Sequence, residues 1–149
     1  MQKASIMEEF ALIDRIVSDL SVCAQNVRAR HWLLMGPKYE GWHPFLGEIY
    51  EKLADAADKA AEIIVQRGGV PVHTMSQFLE RSAISEAETA GNWETDVART
   101  GAELKQIIDF INLHDEQGAW DGAASNDLTQ IASELYHYYM FCDRSMMPR

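Results

Sequence analysis

The stretch RHWLLMGPKYEGWH, residues 30–43, joins two segments of the chain that have strong helical periodicity. His31 and Trp32 close the first segment, and Trp42 and His43 open the second. The residues between them include three that interrupt helices, namely Gly36, Pro37 and Gly41. We therefore predict two helices joined by one short loop, with a histidine and a tryptophan on each side of it.

The segment before this loop predicts a long helix. Ser5 and Glu8 have the spacing of a capping box, and the pattern ends at Gly36. Apolar residues recur at steps of three and four, which is typical of a helix with one buried face. The stripe consists of Ile6, Phe10, Ile13, Val17, Leu20, Ala24, Val27, His31 and Leu34.

The segment after the loop predicts a second helix that begins near His43. Pro44 suits its first turn, and Gly68 and Gly69 end it before Pro71. Its predicted core positions are Leu46, Ile49, Leu53, Ala57, Ala60 and Ile64.

Two further long helices are predicted in the C-terminal half. The third begins at a capping box of Ser85 and Glu88, and the fourth follows the small-residue stretch 118–126. Residues 74–82 predict a short helix in the connection that precedes the third. The inward positions of the third and fourth helices are Trp93, Val97, Leu104, Ile107, Ile111, Leu128, Ile131, Leu135, Tyr139 and Cys142.

This order of elements predicts the fold class. Four long helices, with a short helix in the long crossover between helices two and three, indicate an all-α, ferritin-like four-helix bundle. A chain of 149 residues is expected to form a single domain over residues 1–149.

The charge balance limits the partners that we expect. Asp and Glu outnumber Lys and Arg by 23 to 13, which gives a net charge of −10. A DNA-binding face needs clustered basic residues, and the termini offer only Lys3 and Arg149, so we expect no direct DNA binding. An acidic chain is compatible with cation binding. With no signal peptide and no membrane-length apolar run, we expect a cytoplasmic protein and no membrane partner.

Cys23 and Cys142 lie far apart in the sequence and form no CxxC motif. A zinc ribbon or a thioredoxin-type site is therefore excluded. Two isolated thiols in a chain of this size favour a reducing compartment.

Histidine and carboxylate side chains near the loop are candidate metal ligands. His31 and His43 flank one turn, so both imidazoles can lie at the same end of a helix pair. Asp58 and Glu62 are four residues apart and share one face of the second helix. Imidazole and carboxylate together form a ligand set that suits iron. Other readings are a core histidine for His31 and a solvated acidic row for the carboxylates.

Helix geometry separates the two halves of this set. His43 and Asp58 are 15 residues apart on one helix, or about 22 Å at 1.5 Å per residue. One chain cannot bring them to one metal ion. If the four residues belong together, the imidazoles of one chain must meet the carboxylates of another across a two-fold axis.

The stretch from His31 to Ile84 resembles the Dps family (DNA-binding protein from starved cells), the mini-ferritins. The matching elements are His31-Trp32, His43, Asp58-x-x-x-Glu62 and the run Arg67-Gly68-Gly69-Val70-Pro71. The segment TMSQFLERSAI, residues 74–84, resembles the connecting helix of the family.

The resemblance implies a homododecameric shell, a cytoplasmic protein of bacteria or archaea, and iron as the metal. His31 and His43 of one chain and Asp58 and Glu62 of another would form a mono-iron or di-iron ferroxidase site. Fe(II) would be oxidised there by hydrogen peroxide or O2, and ferric mineral stored inside the shell. Trp32, next to an imidazole, is assigned as a catalytic residue whose indole could be oxidised sacrificially. Association with the nucleoid stays an open alternative.

The sequence departs from the family at one ligand position. The family often has an acidic residue four places after the second histidine, where this chain has Gly47. Glu48 is the candidate substitute ligand. A DNA-coating or structural shell with weak metal chemistry is therefore one alternative function.

A second alternative is a bacterioferritin-like site inside one bundle. Glu134 and His137 have the Glu-x-x-His spacing of such sites, but the second helix offers no matching histidine. The third alternative is a helical interaction protein with a solvated acidic face. His73 is interpreted as a surface residue, and Asp121 and Asp127 either cap the fourth helix or line a pore.

Overall fold

The computed structural model describes residues 5–148, so Lys3 and Arg149 lie outside the described residues. The described part of the chain contains helices and no strand beyond one isolated bridge between Met35 and Asn92. The helices are α1 (Ile6–Leu33), α2 (Tyr39–Gln66), α3 (Met75–Arg81), α4 (Trp93–Glu116) and α5 (Gly122–Ser145).

The four long helices form the predicted bundle, with α3 in the crossover between α2 and α4. α1 packs along α2, and α4 packs along α5. Contacts of α1 with α4 and of α2 with α5 join these two helix pairs. α3 packs against α1. The predicted all-α fold, a four-helix bundle with a short helix in the crossover, is therefore confirmed. Within residues 5–148, no helix has the length and apolarity that a membrane crossing needs.

The predicted apolar stripes form the core. Ile13, Leu20 and Val27 of α1 are fully buried, and Leu104 and Leu128 are fully buried in α4 and α5. One predicted core position is wrong: Ile6 is 51% exposed because it lies in the first turn of α1, at the end of the bundle.

The start of α2 differs from the prediction. The helix begins at Tyr39, so Gly41 and Pro44 lie inside it. Gly36, at φ +107°, makes the turn, and Trp42 N–H already donates to Lys38 O in a helical bond. Pro44 lacks the N–H for one helical bond, but the buried positions of α2 that follow hold the helix together.

The start of α4 also differs. Ser85 does not cap it; Asn92 does, through a bond from Thr95 N–H. The intervening loop takes its hydrogen bonds from α1 instead: Asn26 contacts Ser85 O and Ala87 N. Because the buried Asn26 side chain pairs with these two backbone groups, residues 85–87 do not need helical hydrogen bonds there.

Candidate metal centre

The imidazoles of His31 and His43 lie face to face. His31 comes from the last turn of α1 and His43 from the second turn of α2. Their ring centroids are 3.9 Å apart and the ring planes differ by 11°. The short loop between the helices therefore brings both predicted nitrogen ligands to one place, as the sequence predicted.

Reciprocal hydrogen bonds fix the two rings. Nδ1 of His31 lies 2.5 Å from the carbonyl oxygen of His43, and Nδ1 of His43 lies 2.7 Å from the carbonyl oxygen of His31. A carbonyl oxygen only accepts, so each Nδ1 carries the proton and donates it. In the neutral rings each Nε2 then has an unprotonated lone pair, which is the form that binds a metal ion.

Aromatic and basic side chains surround the pair. Tyr39 stacks on His43 with ring centroids 4.7 Å apart, and the ring of Tyr50 lies tilted 5.5 Å from that of His31. The guanidinium of Arg28 lies 4.6 Å from the ring centroid of Trp32 and 5.9 Å from that of Tyr50. Trp32 is 55% exposed, so its indole is accessible to an oxidant from solvent.

Trp42 has a packing role. Its indole stacks on Trp93 at 6.4 Å between centroids and contacts the ring of Phe45 edge to face. These contacts join α2 to the first turn of α4.

Gly47 gives the His31 ring its space. A Cβ at position 47 would lie 3.1 Å from Cε1 and 3.3 Å from Nδ1 of His31. Glu48, the candidate substitute ligand, is exposed on the same helix.

The predicted oxygen ligands lie elsewhere on α2. Asp58 and Glu62 are both exposed and follow His43 on the same continuous helix, about 22 Å further along at Asp58. Among residues 5–148, no group of three or more His, Cys, Asp or Glu side chains is arranged to hold a metal ion. One subunit thus brings together the two imidazoles, and it does not bring the carboxylates to them.

A groove connects the surroundings of the two ligand groups. Its volume is about 340 Å³, and it lies between α1, α2 and α3. Arg28 and Tyr50, which neighbour the histidine pair, line it together with Asp58 and Met75. The Asp58 carboxylate and the aromatic neighbours of His31 therefore share one face of the subunit.

The α5 residues of the bacterioferritin-like alternative have other partners. Glu134 forms an ion pair with Lys52 at 2.9 Å, and His137 is exposed against the rings of Tyr138 and Phe141. The buried side of α5 is apolar, with Leu135 at its centre. Among the described residues, the structure therefore gives no support to an iron site inside one bundle.

The cysteines are free and buried. Burial raises the pKa of the Cys142 thiol to about 12, and burial raises that of Cys23 well above its ordinary value. Both thiols stay protonated at neutral pH and are poor metal ligands.

Two of the remaining candidate residues have local structural roles. Asp121 caps α5 through Ala124 N–H and pairs with Arg67, and His73 is exposed with Nδ1 bonded to Pro71 O. Asp127 is half-buried in the first turns of α5.

A buried polar network between α1 and α4 was not predicted from the sequence. Arg30 is fully buried in α1, and its two terminal nitrogens contact the two oxygens of Glu103 in α4 at 3.1 and 2.6 Å. Arg30 also donates to Thr100 Oγ1 at 3.1 Å. Charged residues normally mark exposed positions, and the partners are more than 70 residues apart, so no local pattern indicates this network.

Comparisons with known proteins identify the family of the chain. The model of the Ferritin-like domain family matches residues 10–118. "DNA protection during starvation protein 2" of Bacillus anthracis is 37% identical over 113 residues, which cover 71% of this chain and 77% of that protein. "DNA protection during starvation protein" of Helicobacter pylori is 32% identical over 111 residues, which cover 74% and 73%.

Solved structures share the fold. Dps from Thermosynechococcus elongatus superposes with a TM-score of 0.88 at 17% identity, covering 96% of this chain and 92% of that one. The Dps protein of Vibrio cholerae O1, described as a member of a broad superfamily of ferritin-like diiron-carboxylate proteins, has a TM-score of 0.85 at 19% identity and covers 97% and 94%. At these identities the likeness concerns the fold alone.

Proposed function

This chain belongs to the Dps family of ferritin-like proteins, which implies iron storage and oxidative protection, and we propose that it is a ferroxidase. In this proposal Fe(II) is the substrate, hydrogen peroxide or O2 is the oxidant, and ferric mineral is stored inside a homododecameric shell. The buried free thiols fit the reducing cytoplasm in which we place it.

The observation that carries the proposal is the reciprocal bonding of His31 and His43. Two rings held by each other's backbone carbonyls present their Nε2 atoms without a conformational search. Second-shell bonds of this kind fix the tautomer and the orientation of a metal-binding imidazole. A histidine that only fills space in the core does not need a second histidine beside it that also carries its proton on Nδ1.

The carboxylates come, in this proposal, from a second copy of the chain. A two-fold axis that sets two α2 helices antiparallel would bring Asp58 and Glu62 of the partner subunit to His31 and His43. The exposure of both carboxylates and the groove beside Asp58 support such an arrangement. Two equivalent sites per dimer follow from the symmetry.

The residues of the site hold and orient the iron. The imidazoles supply neutral nitrogen ligands, and the partner's carboxylates supply the negative charge that favours Fe(III) over Fe(II). Hydrogen peroxide takes one electron from each of two Fe(II) ions and, with two protons, becomes two water molecules. This two-electron step avoids the release of hydroxyl radical. Exposed Trp32 is proposed to accept oxidising equivalents that escape the site.

The second candidate function is a shell with weak metal chemistry. Gly47 favours it, because this position carries no carboxylate and the His31 ring fills the adjacent space. We propose no direct DNA binding, since the net charge of −10 opposes the phosphate backbone.

The deciding experiment is anaerobic Fe(II) loading followed by a peroxide pulse, with ferric absorbance recorded over time. Wild type is compared with Asp58→Ala, and Asp55→Ala serves as the matched control because Asp55 is another exposed acid of α2. Fast oxidation that is lost only in Asp58→Ala supports the shared site. Equal rates in all three proteins contradict it, and no oxidation above buffer in wild type supports the weak-metal shell.

A further inference from the structure

We propose that Asp96 is a positioning residue for the histidine pair, an inference that rests on the proposed function. Asp96 lies in the first turn of α4 and is fully buried. It touches neither imidazole. It acts on the position of His31 through the backbone of the segment that follows this histidine.

The Asp96 carboxylate holds the end of the loop before α4. One oxygen accepts Ala90 N–H at 3.0 Å, and the other accepts Gly91 N–H at 3.1 Å. Gly91 has φ +81°, a conformation that few other residues adopt at low cost. Both oxygens thus hold one turn, which has a glycine at the position of positive φ.

The same turn is bonded to the loop that joins the two histidine-bearing helices. Met35 N–H donates to Gly91 O at 2.8 Å, and Met35 forms the isolated parallel bridge with Asn92. Met35 lies four residues after His31, immediately beyond the end of α1. We call Asp96, Gly91 and Met35 the Asp96 brace.

A second attachment lies on the other side of His31. Thr100 Oγ1 donates to Asp96 O at 2.8 Å and accepts from Arg30, the residue before His31. The last turn of α1 is therefore held to the first two turns of α4 both before and after His31. The His31 ring itself packs close to Gly47 of α2.

This arrangement makes the position of His31 depend on how the end of α1 is attached to α4. His31 bonds to the carbonyl of His43 on α2, while its chain neighbours Arg30 and Met35 bond to α4 and to the loop before α4. Loosening the brace lets the end of α1 shift relative to α2, and a shift of about 1 Å at a reacting centre can cost about 100-fold in rate.

A second aspartate provides a matched control. Asp19 of α1 is 1% exposed and accepts Ala83 N–H and Ser82 Oγ–H, both at 2.8 Å. It holds the other end of the same α3–α4 loop, where no bond leads to the histidines. Asp19→Asn and Asp96→Asn make the same chemical change in two buried carboxylates that hold this loop, and only Asp96 holds the turn bonded to Met35.

Met35 provides a second pair of variants in case Asp96→Asn does not fold. Its side chain is 71% exposed, so Met35→Ala removes little packing and keeps the N–H. Met35→Pro shortens the side chain as Met35→Ala does and in addition deletes the N–H that donates to Gly91. Leu34, with ψ 138°, already has the conformation that precedes proline.

The test measures two quantities on the assembled proteins. Co(II) titration, followed by visible absorption, reports metal binding without turnover, and initial rates across Fe(II) concentrations separate KM from kcat. We expect Asp96→Asn and Met35→Pro to weaken Co(II) binding and raise the KM for Fe(II) by about 10- to 100-fold, the usual range for a supporting shell. Asp19→Asn and Met35→Ala should match wild type in both.

Each outcome is decisive. If Met35→Pro binds Co(II) as tightly as Met35→Ala, the brace does not position His31. If Asp96→Asn and Asp19→Asn lose thermal stability equally and both keep the wild-type KM, Asp96 is only structural. If wild type binds Co(II) but does not oxidise Fe(II), the proposed ferroxidase fails, and the Co(II) comparison still tests the brace.

Discussion

The imidazole of His31 lies against the backbone of Gly47, where a methyl group would come 3.1 Å from Cε1. The close approach explains how one ring can stack on His43 and still reach its carbonyl oxygen. It also gives the departure from the family pattern at this position a physical meaning, because a side chain there would press on a proposed ligand.

Gly47→Ala is expected to impair the site without impairing the helix. The methyl group must displace His31 by a few tenths of an ångström, which disturbs the reciprocal bonds and should lower Fe(II) affinity about 10-fold or more. Alanine favours a helix over glycine by about 1 kcal/mol, so stability should not fall much. Fe(II)-dependent oxidation rates and thermal unfolding measure the two effects.

Gly41→Ala is the control for that variant. Gly41 lies in the same helix, and no atom lies within 4 Å of a Cβ added there. The Gly41→Ala variant should therefore oxidise Fe(II) at the wild-type rate. Faster oxidation in Gly47→Asp than in wild type would contradict the steric account and show that a carboxylate fits there.

His31→Ala is expected to abolish fast oxidation, because it removes one nitrogen ligand and the ring that stacks on His43. The rate of Fe(II) oxidation should fall about 100-fold or more, at least as far as when a residue that supports a ligand is removed. Stopped-flow ferric absorbance after a peroxide pulse measures it. His137→Ala should leave the rate unchanged, and the reverse pattern would restore the bacterioferritin-like alternative.

Glu103→Ala is expected to destabilise the bundle strongly. Arg30 is 0% exposed, and removing its partner leaves a buried charge uncompensated, which costs about 3–5 kcal/mol. The urea midpoint should fall accordingly. Asp109→Ala, which breaks the exposed pair with Lys105, should leave the urea midpoint close to that of wild type, and similar midpoints for both variants would argue against a structural role for the buried pair.

Cys142 should make stability depend on pH in the alkaline range. Burial raises the pKa of the folded-state thiol to about 12 from the ordinary value of 9.0. The unfolded chain therefore loses this proton first, so the contribution is complete below pH 9 and is lost as the pH rises towards 12. Denaturation of wild type and Cys142→Ala across this range should show a steeper decline in wild type; parallel curves would exclude the effect.

The sequence predicted the helices and their buried faces because both depend on local spacing. Steps of three and four residues identified Leu20, Leu53 and Leu104 as core positions, and all three are fully buried. Local spacing failed at helix starts. Ser85 and Glu88 have the spacing of a capping box, yet side chains of α1 hold that segment as a loop.

Residue spacing along the chain was enough to predict the bundle, the family and the separation of the imidazoles from the carboxylates, since the rise per residue of a helix keeps His43 and Asp58 apart. The contacts of the imidazoles could be found only in the folded chain: the bond from His31 to the carbonyl of His43 and the space at Gly47. The physical reason is that periodicity records which face of a helix is buried. Hydrogen bonds between helices depend on how those faces meet, and no spacing within one helix records that.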